Sequence, residues 1–135
     1  MAIVQIKKAL EKRLSTLTPS IATAYESVSF TPVQGTPYQR AQIVPRKPEN
    51  PTMGDSYYRE TGELQVFLAY PSNLGTAQVL ARAELVQQHF ARGTTIVEGS
   101  LEVIISKTPQ IAGSTVIGDR IVVPVIIQYY VGIQS

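Results

Sequence analysis

The chain has 135 residues, 44% of them hydrophobic and 16% charged, with a formal net charge of +2 and no cysteine. That length suits one domain whose core needs no staples, and that composition lies on the globular side of the disorder boundary. The small net charge gives no case for nucleic-acid binding, and the missing cysteine removes disulfides, thiolate nucleophiles and sulfur metal sites. Charge runs through the amino-terminal segment (QIKKALEKRL), and no apolar run is long enough to span a bilayer. A soluble protein of a reducing compartment, without a membrane partner, is expected.

Ile3, Ile6, Leu10, Leu14 and Leu17 recur every three or four residues and predict a first helix over 3–17, closed by Pro19. Lys7, Lys8, Lys12 and Arg13 read as its solvated face. Residues 20–45 hold two β-leaning pieces, ATAYE and YQRAQIV, around a turn-rich middle with Pro32, Gly35 and Pro37. Residues 46–62 (RKPENPTMGDSYYRETG) are polar and lack a core-like period, which predicts a long loop or arm. Within it, Tyr57 and Tyr58 are either buried anchors of a hairpin or interface residues.

Leu64, Val66, Leu68 and Tyr70 alternate with Glu63, Gln65, Phe67 and Ala69, the pattern of a strand with one apolar face. A second helix is expected over 76–92, with Val79, Ala83, Val86 and Phe90 as its stripe and Gly93 as its stop. Leu85 points away from that stripe, and on this reading it is exposed. SLEVIIS (100–106) and RIVVPVIIQYYVG (120–132) read as closing strands. The last is apolar on both faces, with Val122, Ile126 and Tyr130 on the second. Pro124 cannot donate to a ladder, so it implies a bulge or a local edge.

The strand–turn–helix order of 63–90 raises the question of a phosphate-binding loop. YPSNLGTAQ supplies one glycine and no lysine, where a P-loop needs several glycines, a lysine and a hydroxyl for magnesium. Gly75 is better read as the bend between strand and helix, with Asn73 or Thr76 capping the helix. His89 is the only histidine and has no cysteine or second histidine to join it. No catalytic residue, metal ligand or cofactor site is expected.

These elements predict an α+β fold: a single domain with an antiparallel or mixed sheet of four to five strands and two helices packed on one face. The second apolar face of 120–131 then lacks a third helix to cover it, and self-association is the expected remedy.

The order of elements resembles the tail terminator (tail completion) proteins of long-tailed bacteriophages. The resemblance rests on F-x-P-x-x-G-x-P-Y at Phe30 to Tyr38, on the strand-to-helix unit ending in Phe90 and Gly93, and on the closing GDRIVVPVIIQYYV. It spans nearly the whole chain, as one terminator-like domain. The resemblance implies a structural protein, not an enzyme, that forms a generally six-fold ring on the head-proximal end of the tail tube. Such a ring stops tube polymerisation and offers a joint to the head or neck. Its implied partners are further copies of itself, the tail tube protein and a head–tail connector or neck protein, with DNA only passing through the lumen. Its place would be the virion tail, after assembly in the host cytoplasm.

From position and residue type, not from a family motif, the interaction residues expected are Arg46, Lys47, Tyr57, Tyr58, Arg59, Leu85, Val122, Ile126 and Tyr130. Arg46, Lys47 and Arg59 would lie near DNA or an acidic neighbour. Two other readings stay open: another head–tail joining, neck or tube component, and a small-molecule-binding α+β domain.

Overall fold

The computed structural model describes residues 2–25, 30–50 and 57–134, without the side chains of residues 2, 57, 74 and 134. Among the described residues two α-helices, α1 (Ala2–Ser15) and α2 (Ala77–His89), accompany one mixed sheet of eight strands. In chain order the strands are β1 (Ala22–Ala24), β2 (Tyr38–Pro45), β3 (Tyr57–Pro71), β4 (Thr95–Glu98), β5 (Leu101–Ile105), β6 (Gln110–Ile111), β7 (Thr115–Ile117) and β8 (Arg120–Gln134). Their spatial order is β1-β2-β3-β8-β5-β4, with β6 and β7 also laid against β8.

The expected four to five strands are therefore too few. Those added are β4, β6 and β7, of two to four residues each, too short for alternation to mark. The β1–β2 pairing is parallel, with Ala22 opposite Tyr38, so the turn-rich middle is a crossover and not a hairpin loop. All the other pairings are antiparallel.

The loop expected over 46–62 is corrected as well. Tyr57 to Gly62 belong to β3, where they pair with Gln134 to Tyr129 of β8. Glu49 and Arg59 exchange backbone hydrogen bonds of 2.7 and 2.9 Å. Residues 51–56 lie outside the described residues. A polar composition hid the strand because its hydrogen-bond partner lies some seventy residues away and leaves no local trace.

The helices share one face of the sheet. Ile6, Leu10 and Leu14 of α1 and Val79, Ala83, Val86 and Phe90 at α2 are at most 1% exposed. They form one core with Leu64, Val66 and Leu68 of β3 and with Val123, Val125 and Ile127 of β8. Ile3, placed on the stripe by spacing, is 37% exposed, and Leu17 enters the core from beyond the end of α1. Gly75 has φ 75°, which lets the chain bend into α2 as expected. Thr76 occupies the cap position but makes no side-chain cap bond. α2 ends at His89, earlier than expected, and Gly93 (φ 87°) turns the chain so that its N–H donates to the Ile105 carbonyl at 2.8 Å.

Pro124 behaves as its chemistry requires. Its carbonyl accepts from the Ala112 N–H at 2.9 Å, so its backbone faces the side where β6 gives way to β7. There the register slips by one residue, between Ile111 opposite Val125 and Thr115 opposite Val122. The donor that proline lacks falls in this bulge-like gap.

Candidate functional site

The helix-free face of the sheet is built by the other half of each alternation. Register puts Tyr38, Arg40 and Gln42 of β2 beside Ala69, Phe67 and Gln65 of β3, and those beside Val122, Pro124 and Ile126 of β8. Where the helix-side residues Val123, Val125 and Ile127 are fully buried, Phe67, Val122, Pro124 and Ile126 remain half-buried. Among the described residues nothing packs over them as a further layer. An apolar sheet face left in this state invites a partner.

One end of this face is organised by Arg120. Its guanidinium lies 4.8 Å from the centroid of the Tyr38 ring, and it donates to the carbonyls of Thr36 (2.8 Å) and Val33 (2.9 Å). The Phe30 ring packs against Tyr38 at 5.2 Å. Residues 30–38 are thus clamped to the first residue of β8. A concave region of about 340 Å³ lies beside the clamp, lined by Tyr38, Arg40, Phe67, Ile117, Arg120 and Val122. Val33, Val116 and Ile117 around it are 67, 67 and 61% exposed.

The other end is polar. Gln42 donates to Gln65 (2.9 Å), Gln65 to Glu63 (2.7 Å), and Arg46 pairs with the same Glu63 oxygen at 3.0 Å. Arg59 lies over the Tyr130 ring at 4.9 Å, a cation–π contact, and its enclosed Nε has no hydrogen-bond partner among the described residues. Arg46, Glu49, Arg59, Glu63, Lys107 and Tyr130 all border a concave region of about 570 Å³. Beyond β2, residues 57–61 and 130–134 carry the β3–β8 ladder on, flanked at its base by Glu49, which bridges to Arg59, and by Ile104 of β5, which pairs with Tyr130.

The two quoted segments Phe30–Tyr38 and GDRIVVPVIIQYYV thus meet through Arg120. A family model described as phage tail terminator protein matches residues 5–129.

The chain belongs to the phage tail terminator family.

That family is structural rather than catalytic, and a terminator is a phage tail component. One solved structure is similar to this terminator, with a TM-score of 0.77 and 26% identity over 97% of this chain and 96% of its own. No curated protein matches it.

Of the residues expected from sequence, this terminator brings Arg46, Arg59 and Tyr130 together at the polar end, with Lys47 exposed beside them. Arg46 is no free cation, since it already holds Glu63. Val122 and Ile126 lie on the apolar part of the same face. Tyr58 is half-buried on the opposite side of the strand from Arg59, and the side chain of Tyr57 lies outside the described residues. Leu85 is a correction: it is half-buried and packs against the core, because α2 is covered on two sides, by β3 and β8 and by β6. Sequence reasoning missed Arg120, Phe67 and the Gln42–Gln65–Glu63 chain. The alternation of Glu63, Gln65 and Phe67 was the available signal.

Proposed function

We propose that this terminator closes into a ring, six-fold as the family resemblance suggests, at the head-proximal end of the tail tube. There it ends tube polymerisation and presents a joint to the head or neck, with DNA passing through the lumen. The observation that carries the reading is the half-exposed apolar face of β3 and β8, which a single copy leaves uncovered. A cyclic ring is made of head-to-tail contacts, so this face must meet a different surface of the next copy. The β3–β8 ladder over 57–61 and 130–134 suits that role, because it runs on past the end of β2 and carries Arg59 and Tyr130. On this reading Arg46, Lys47, Arg59, Val122, Ile126 and Tyr130 lie at or near contacts between copies or with the tube and neck. The modest net charge suits a channel through which DNA slides, since many phosphate contacts would hold it.

The test is negative-stain imaging of the purified chain, alone and with tail tubes. Rings, or tube ends that carry a cap and stop growing, are the expected result. Particles that stay monomeric and leave tube growth unchanged would end the proposal.

A further inference from the structure

Arg82 is 3% exposed on the inner side of α2. Its Nη1 donates to the Pro19 carbonyl and its Nη2 to Oε1 of Gln39 at 3.5 Å. Gln39, itself 2% exposed, donates to Thr23 Oγ1 at 3.0 Å, and that hydroxyl donates to the Ile21 carbonyl at 3.1 Å. Every acceptor in this chain is neutral. Among the described residues no carboxylate pairs with the buried guanidinium. Two of its five N–H groups have protein acceptors, while the fully enclosed Nε has none among those residues. A cation taken out of water in this way is costly unless a negative group meets it, and burial pushes the Arg82 pKa down.

A cavity of about 180 Å³ adjoins it, with Arg82, Gln39, Thr23, Tyr25 and the exposed Ser15 and Ser20 as its polar lining and Leu14, Leu17 and Ile21 as its apolar lining. Pockets for organic ligands run to roughly 300–1,000 Å³, so this one suits a single small group. A guanidinium fork matches a carboxylate in geometry, and the hydroxyls of Ser20 and Tyr25 in the lining are neutral donors, while those of Thr23 and Ser15 already donate to backbone carbonyls. Arg82 is the only cation among the described lining residues, which fits a monoanion better than a phosphate dianion. We propose that the cavity between the end of α1, β1, β2 and α2 binds one carboxylate through Arg82. The carboxylate is either a free small anion or an Asp or Glu side chain of another copy of this chain; the free-anion arm is independent of the ring reading, and the second rests on it.

The Arg82 Nε–H resonance of the full chain, assigned through bonds, is followed while sodium acetate replaces sodium chloride at constant ionic strength. A free anion gives a saturable shift with a millimolar half-point and a thermal midpoint about 3 °C higher than in chloride. Arg82→Met loses both responses. If that variant does not fold, the wild-type titration still decides. A side chain from another copy gives no acetate response in dilute protein, but a shift of the same proton as protein concentration rises. No response to acetate or to concentration, or an equal response to chloride, overturns the proposal. So does an Arg82 resonance that moves in Glu26→Gln alone, because the chain then neutralises its own cation.

Discussion

Gly62 stands opposite Tyr129 in the β3–β8 ladder, and the tyrosine ring lies where a side chain would go. A Cβ at this position would sit 2.5 Å from the Tyr129 hydroxyl oxygen and 2.8 Å from the Val44 carbonyl oxygen. Gly62→Ala is therefore expected to cost about 2–3 kcal/mol in urea unfolding, in the range of other overpacking changes. Adding Tyr129→Phe should recover only part of the loss, since the backbone carbonyl cannot move aside as a side chain can. Burial, helped by the Glu60 carboxylate, pushes the Tyr129 pKa up to about 12. At the junction of the helices, Arg13 donates to the His89 carbonyl (2.8 and 3.1 Å) while His89 Nε2 donates to the Arg13 carbonyl at 2.8 Å. A carbonyl accepts only, so Nε2 carries the proton of the neutral ring. Burial is the main cause that pushes the His89 pKa below its ordinary 6.5; the charges of Arg13 and Arg82 add to it, and the hydrogen bond to Arg13 opposes it. The unfolded chain then takes up the proton first as pH falls. The clasp contributes fully above about pH 6.5 and loses its contribution as pH falls below that through the folded value. Urea unfolding at pH 7.5 and 5.5 should show a larger loss for the wild type than for His89→Gln. Equal losses would assign the acid sensitivity to other groups.

Among the elements, α2 and β8 were the most legible, and each for a different reason. The spacing of Val79, Ala83, Val86 and Phe90 matches the turn of a helix, and all four are fully buried. In β8 the long apolar run announced a strand, and Pro124 announced the interruption of its ladder. β6 and β7 were not legible, because two- and three-residue strands exist only through the β8 edge that they pair with. The segment 30–38 held its motif in plain view, but not its anchor. Arg120 comes to it from more than eighty residues away in the chain. Arg120→Ala removes the charge-assisted hydrogen bonds to Thr36 and Val33, a longer one to the Ala69 carbonyl at 3.4 Å, and a cation–π contact, partly exposed. A cost of about 1–2 kcal/mol is expected. Amide exchange should find the protection of Thr36, whose N–H bonds the Val33 carbonyl at 3.1 Å, selectively lost. Unchanged protection would mean that the turn holds itself.

For the whole molecule, the decisive feature is the asymmetry between the two faces of one sheet. Ile126→Glu places a charge on the helix-free face, where the residue is half-buried and water can reach it. The monomer should therefore unfold within about 1 kcal/mol of the wild type. If copies shelter one another there, light scattering should show the assembled mass fall to that of a monomer. An assembly that survives both Ile126→Glu and Val122→Asp would locate the contact elsewhere. Fold class and family were legible at this scale because both depend on the order of long periodic elements. The start of β3 at 57–62 was not, because its sequence is polar and its partner strand is distant.

Periodicity and punctuation by themselves determined two helices, four to five of the eight strands, the bend at Gly75 and the broken ladder at Pro124, because backbone geometry ties each to a local residue pattern. Tertiary structure alone decided the parallel β1–β2 pairing, the Arg120 clamp and the enclosure of Arg82 beside its cavity. Each of those joins residues far apart in the chain. An arginine in a helix looks the same in sequence whether water or a neutral carbonyl receives its protons.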